Sequence, residues 1–233
     1  MTKVLLLLAL LLGLTTSFAH ELEPDSQCDE KLDYQYYSVC YSQAHRQALW
    51  TFHALTKSSI NGSSKRENNY RLDPQVSDPV TKNDYKGSGY DRGHLVPAGD
   101  MKLNKTSMSE TFYMTNMSPQ KPDLNRKIWN ALEGGLRKMV ENLGDAYVVT
   151  APILTNNLNQ LPSNVSIPKF YYKIIYFPKQ QLMRAYLLEN KSYSHQDYSQ
   201  HQISVDQIEQ MTGIDFFSHL EDSLEEKLER EIR

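Results

Sequence analysis

The residues of this chain best suited to chemistry stand together in one short run, Tyr90-Asp91-Arg92-Gly93-His94. Histidine takes and returns a proton near neutral pH, because its ordinary pKa lies near roughly 6.5. An arginine guanidinium grips a phosphate through two parallel hydrogen bonds. Gly93 between them lets the backbone pass close to a ligand or turn tightly. Hydrolysis of a phosphodiester needs a base for the attacking water, positive charge on the phosphoryl oxygens and help for the leaving oxygen. His94 and Arg92 offer the first two. The tetrad alone does not specify that reaction, since a structural histidine is commoner than a catalytic one.

A second set of polar residues lies downstream. A helix is predicted from near Leu124 to about Glu141, with Ile128, Leu132, Leu136 and Val140 as its apolar stripe. Beside that stripe runs another four-residue ladder, Asn125, Trp129, Glu133 and Arg137. Such a ladder drifts by about 40° per step, so its members share one broad face. Taken alone, the face reads as a solvated surface with a weak Glu133–Arg137 pair.

The two sets belong to three blocks in a fixed order: Gly89-Tyr-Asp-Arg-Gly-His-Leu-Val-Pro-Ala-Gly-Asp100, Thr111-Phe-Tyr-Met-Thr-Asn-Met-Ser-Pro-Gln120 and Leu124-Asn-Arg-Lys-Ile-Trp-Asn-Ala-Leu-Glu133. This arrangement resembles the DNA/RNA non-specific endonuclease family, the ββα-metal nucleases of the endonuclease G type. The likeness is close over residues 83–137. It continues weakly through Tyr147–Pro152, Pro168–Lys173 and Ser204–Phe217.

The resemblance implies a hydrolase of DNA and RNA with little sequence preference. It implies His94 as general base, Arg92 as phosphate contact and Asn125 as the direct protein ligand to the metal. It also implies Glu133 as the supporting carboxylate and Arg137 as part of the substrate-binding set. Asp91 is grouped with the substrate-binding residues, and so is Asn116, for which a structural or orienting part is the further expectation. Mg2+ is the expected cofactor, with Mn2+ as a substitute. Magnesium keeps several waters and takes few protein ligands, all oxygen, so one amide oxygen suffices. Asn125 and Glu133 would lie about 12 Å apart along a regular helix axis. Glu133 is therefore expected to act through a metal-bound water or by orienting Asn125. A homodimer is compatible with the resemblance, although no interface signature is visible.

These residues need a scaffold. Ala146–Leu154, Phe170–Phe177 and Leu182–Leu188 read as strands of a mostly antiparallel central sheet, and Thr111–Met114 as a short one. Residues 42–57 fit helix or strand equally. Residues 58–88, rich in Asn, Ser, Asp, Gly and Pro, read as a long irregular segment. Leu220, Leu224, Leu228 and Ile232 mark an amphipathic C-terminal helix. The fold class expected is α+β, with flanking helices and a ββα-metal motif.

Composition sets the frame. A chain of 233 residues with 39% hydrophobic residues builds one domain with a real core. Lys3, the apolar run Val4–Leu14 and the small-residue end Ser17-Phe18-Ala19 form a secretory leader pattern, with cleavage expected after Ala19. The mature domain would be residues 20–233, secreted or periplasmic and free of the membrane. In an oxidising compartment Cys28 and Cys40, the chain's only two cysteines, most simply form one disulfide. The net charge of −3 is unusual for a nucleic-acid binder. The acid, however, is concentrated after Val205, while Lys121–Lys138 carries five Lys/Arg against two Asp/Glu. A zinc hydrolase is disfavoured by the absence of H-E-x-x-H or a comparable pair. A non-catalytic nucleic-acid binder would lack the base or the metal ligand, and both are present. An adhesion protein would leave the three blocks unexplained.

Overall fold

The computed structural model describes residues 21–232; the expected leader, residues 1–19, lies outside the described residues. In chain order the strands are β1 (Glu30–Asp33), β2 (Tyr37–Ser42), β3 (Gln47–Leu55), β4 (Asp91–His94), β5 (Met117–Gln120), β6 (Ala146–Pro152), β7 (Phe170–Phe177), β8 (Leu182–Glu189) and β9 (Gln202–Ile203). The α-helices are α1 (Lys57–Ile60), α2 (Lys105–Glu110), α3 (Asn130–Leu143), α4 (Val205–Thr212) and α5 (Asp222–Arg230). Seven strands form the central sheet in the order β1-β2-β3-β6-β7-β8-β9, and each neighbouring pair is antiparallel. The α+β class expected from the sequence is the one found.

The sheet is covered on both faces. Along β7, Tyr171, Ile175 and Phe177 enter the core under α3, while Tyr172, Ile174 and Tyr176 enter the core under α4 and α5. A strand buried on two sides reads as a continuous apolar run instead of an alternating one. The same holds for β3, whose Ala48 and Leu55 face one core and whose Trp50 and Phe52 face the other. Without a period to read, residues 42–57 left helix and strand open. Lys173 interrupts the apolar run of β7 yet is only 1% exposed.

On α3 and the turn before it, Ile128, Leu132, Leu136 and Val140 are all buried against the sheet, as the periodicity predicts. Each such side chain contributes roughly 1.5–3 kcal/mol of transfer free energy. On the opposite face, Ser204 caps α4 by accepting a hydrogen bond from the Gln207 backbone, and Gly213 ends the helix with φ 69°. Leu228 of α5 is buried, and Leu220 and Leu224 pack beside it. Ile232 is 59% exposed, because α5 ends at Arg230, one step short of the apolar ladder.

Thr111–Met114 is not a strand. Its residues follow α2 as turns: the Thr111 hydroxyl donates back to the Met108 carbonyl, and a single bridge joins Tyr113 to Arg71. Phe112 and Met114 are both buried here. Apolar content from burial in an irregular segment imitates strand content. The Cys28–Cys40 disulfide is formed, with its Cα atoms 5.1 Å apart, and ties the start of the described chain to β2.

Candidate active site

β4 and β5 form an antiparallel ribbon outside the main sheet, pairing Asp91 with Gln120 and His94 with Met117. At Gly93 an added Cβ would meet the Gln120 side chain at 2.1 Å, so the ribbon accepts only glycine there without moving Gln120. After β5 the chain enters Leu124–Trp129, a π-helical segment, and continues directly into α3. Strand, strand and helix thus make a ββα unit. A cleft of about 440 Å³ opens at its face, lined by His94, Arg92, Asn125, Glu133 and Arg137, and also by Arg66, Tyr70, Arg126 and Asn130.

The π segment corrects the ladder read from the sequence. Wide turns place residues five apart on one face, where an α-helix would align residues four apart. Asn125 is therefore followed at the cleft by Asn130, and Trp129 turns into the core with no exposed surface. Glu133 and Arg137 then follow at ordinary α spacing. π-turns are rare and recur at functional sites.

His94 is buried, with its ring edge-on to Phe112 at 4.9 Å and to Tyr70 at 5.8 Å. Its Nε2 is enclosed and has no hydrogen-bond partner. Burial, aided by the Arg66 and Arg92 charges, pushes its pKa down to about 3, so the imidazole is neutral at physiological pH. Arg92 lies over the Tyr70 ring at 4.5 Å, and one of its nitrogens donates a long 3.4 Å bond to the Lys82 carbonyl. Its Nε is buried without a hydrogen-bond partner.

Arg137 is anchored from behind. Its Nη1 donates to Asp100 Oδ1 at 2.7 Å, and the other Asp100 oxygen lies 3.3 Å from His53 Nε2. Burial alone would raise the Asp100 pKa, but His53, Arg137 and Lys173 outweigh it and hold the carboxylate ionised. Glu133 is raised by burial and by Asp100, while Lys173, Arg137 and Arg66 pull it back. Lys173 itself donates from Nζ to Thr150 Oγ1 at 2.6 Å and to the Leu95 carbonyl at 3.3 Å, and lies over the Trp129 ring. Burial pulls the pKa of this amine below the usual lysine range, while Glu133 and Asp100 draw it back up.

Two expected substrate contacts sit elsewhere. Asn116 has no exposed surface: its amide spans Val96, accepting from the backbone N–H and donating to the carbonyl, and donates again to Thr111. With its hydrogen bonds made inside the protein, it fixes the chain just after His94 and does not reach the cleft. Asp91 accepts from Asn125 Nδ2 at 2.9 Å and holds Arg126 through two bonds of 2.6 and 2.8 Å. Its carboxylate orients Asn125, and a phosphate would be repelled by it.

Arg66, Tyr70, Asn130 and Lys173 are site residues that the sequence did not single out. A lone lysine inside an apolar strand was the available signal for Lys173. Arg66 and Tyr70 come from the irregular segment, whose path no periodicity encodes.

The residues suit a hard divalent cation. Because the Asn125 amide nitrogen donates to Asp91, its carbonyl oxygen is the atom left to offer the cleft, and oxygen is the donor such ions take. Glu133, at the same wall, can accept hydrogen bonds from the ion's waters.

A ββα unit carrying a neutral histidine, an amide oxygen and converging arginines fits a metal-dependent phosphodiesterase class of site. The model of the DNA/RNA non-specific endonuclease family matches residues 16–223, and the chain belongs to that family. Nuclease C1 of Cunninghamella echinulata var. echinulata is 32% identical over 210 residues, covering 82% of this chain and 83% of that protein. The mitochondrial nuclease EXOG of Homo sapiens is 30% identical, covering 81% of this chain, which spans 57% of EXOG's length. A solved EndoG/EndoGI complex superposes with a TM-score of 0.78 at 26% identity, over 85% of this chain and 89% of the matched one. The chain is therefore a non-specific endonuclease of nucleic acids, of a family that uses a divalent metal.

Proposed function

We propose that the cleft hydrolyses phosphodiester bonds of both DNA and RNA with little sequence preference, using Mg2+, with Mn2+ as a substitute, held at Asn125. The observation that carries this is the convergence, on one cleft, of a neutral histidine, an oriented amide oxygen and several arginines. His94 takes a proton from the attacking water. With Nε2 enclosed, Nδ1 is the nitrogen that receives it. Arg92 binds a non-bridging phosphoryl oxygen through its open donors, and Arg137, braced by Asp100, binds another. Glu133 and Asp91 orient: the first would accept hydrogen bonds from water on the cation, the second fixes the Asn125 amide. The cation, when bound, supplies positive charge at the phosphate and the leaving 3′ oxygen.

Water attack makes no use of a ribose 2′-OH, so both nucleic acids are substrates. Contacts made to phosphate carry no sequence information, which accounts for weak specificity. We further infer export of the mature chain from residue 20, from the leader pattern and from a disulfide suited to an oxidising compartment. The protein then acts in the periplasm or outside the cell.

The test is digestion of single- and double-stranded DNA and RNA by purified protein, with Mg2+, with Mn2+ and after chelation. His94→Ala is expected to lower kcat by roughly 10²–10⁴-fold while the protein stays folded. Near-normal activity in that variant would sink the mechanism, and full activity after chelation would sink the metal assignment.

A further inference from the structure

A group of carboxylates lies on the face of the molecule served by α4 and α5, among residues that the hydrolytic chemistry does not use. Asp215, Glu225 and Glu229 each place a carboxylate oxygen within 4.8 Å of the others. Asp206 and Glu209 approach the same Glu229 from α4. Glu229 is 94% buried by its 6% exposure, and its Oε1 has no hydrogen-bond partner; Glu225 Oε1 is likewise buried and unpartnered. A buried acceptor without a partner costs about 1–3 kcal/mol or more when charged, so two of them on members of one cluster call for a compensating group.

The charges around the cluster do not supply it. Burial, then Glu209, Glu225, Asp206 and Asp215, push Glu229 up to about 9. Burial with Asp215, Glu209, Asp222 and Glu226 pushes Glu225 up to about 7. Arg230 reaches only Asp206, at 3.9 Å, and pairs with Glu226. Glu209 has one oxygen taken by the Phe216 backbone N–H at 2.9 Å. Glu209 also shares a side-chain hydrogen bond with Glu229, which leaves the Oε1 atoms of Glu225 and Glu229 as buried oxygens without a partner, beside the exposed Asp215.

We propose that Asp215, Glu225 and Glu229 bind one Ca2+ ion, a structural site separate from the hydrolytic cleft. Calcium takes oxygen ligands at about 2.3–2.6 Å in flexible geometry, so oxygens within 4.8 Å of each other can share one ion. Magnesium demands about 2.0–2.1 Å and near-ideal octahedral geometry, which carboxylates brought by a loop and a helix satisfy less readily. All three ligands are carboxylates, with neither histidine nor cysteine among them, which fits a hard ion and disfavours zinc. The ion would fasten α5 to the loop after α4. The Asp215 carbonyl already accepts from the Asp25 N–H at 2.9 Å, so the clamp would also reach the first described residues.

The experiment uses the mature chain carrying Asn125→Ala, which removes the ligand proposed for the hydrolytic metal. Melting is followed during a Ca2+ titration after chelation, with calorimetric titration for stoichiometry. The expected result is one ion per chain and a Tm rise of about 3–6 °C at tenfold the dissociation constant. Binding is expected at Ca2+ of about 0.1–1 mM or tighter. Glu225→Gln with Glu229→Gln should abolish the response and, by removing repulsion, leave the metal-free Tm at pH 8 unchanged or higher. Asp215→Asn, on an exposed side chain, should weaken binding and serves if the double variant does not fold. A Tm indifferent to Ca2+ in the Asn125→Ala chain overturns the proposal. So does a Ca2+ response that survives both sets of carboxamide substitutions. A cluster that merely holds protons would show the rise in metal-free Tm with no calcium response, which also overturns it.

Discussion

The environment of His94 holds it far from its ordinary behaviour. Its folded pKa is depressed to about 3, against roughly 6.5 in an unfolded chain. Between those values the unfolded state binds the extra proton, so the contribution of His94 to stability is complete above about pH 6.5 and shrinks as pH falls. The loss from this one group reaches about 2 kcal/mol at pH 5. Urea midpoints measured from pH 7.5 down to pH 5 should therefore fall less steeply in His94→Gln than in the wild type. Equal slopes would show that the ring already protonates freely in the native protein. Asp91 offers a second test at this scale. Asp91→Ala leaves the Asn125 amide without its acceptor and frees Arg126. The Mg2+ concentration for half-maximal activity should rise by roughly 10–100-fold, the usual cost of losing an orienting partner. An unchanged metal requirement would remove Asp91 from that part.

At the scale of the element, the π segment Leu124–Trp129 decides which side chains meet the cleft. It holds one more residue than an α-turn there would, and so places Trp129 in the core and Asn130 outside. Inserting one alanine after the exposed Arg126 adds a residue beyond the one the wide turn absorbs, which puts Asn125 about 100° out of phase with Asn130. The packing of Ile128, Trp129 and Leu132 will hold the C-terminal side in place, so Asn125 is the group that swings away. Activity should drop by at least about 10²-fold with the far-ultraviolet circular dichroism nearly unchanged. Full activity would mean that the wide turn has no part in placing Asn125.

For the whole molecule, the sheet keeps two chemistries apart. The hydrolytic cleft lies with α3 on one side, while the acidic helices α4 and α5 pack on the other. A modest net charge of −3 therefore coexists with a cleft rich in arginine. Nucleic acid is drawn to that cleft by charges that salt screens, and binding should weaken steeply as salt increases. The disulfide acts at the same scale by holding the start of the described chain to the sheet. Cys28→Ala with Cys40→Ala should lower unfolding free energy by about 3 kcal/mol, read from urea denaturation. Phosphodiesterase activity of the folded fraction should persist, because neither cysteine lines the cleft.

The sequence by itself determined the parts whose information is local. The blocks around His94 and Asn125, the strand-like runs of β6, β7 and β8, and the apolar stripe of α3 are all written in short-range pattern. Periodicity arises wherever one face of an element is buried and the other is not, so those elements could be read directly. Tertiary structure alone decided the rest. It set the phase of the ladder at Asn125, because a π-turn depends on how Trp129 and Ile128 seat in the core. It moved Asn116 into the interior and turned Asp91 toward Asn125, since hydrogen-bond partners twenty and more residues away are invisible in a linear pattern. It brought Arg66 and Tyr70 out of an irregular segment to His94, and Lys173 beneath Glu133. The residues proposed for the chemistry were largely legible; the orientation that brings them to one cleft is a property of packing between distant segments.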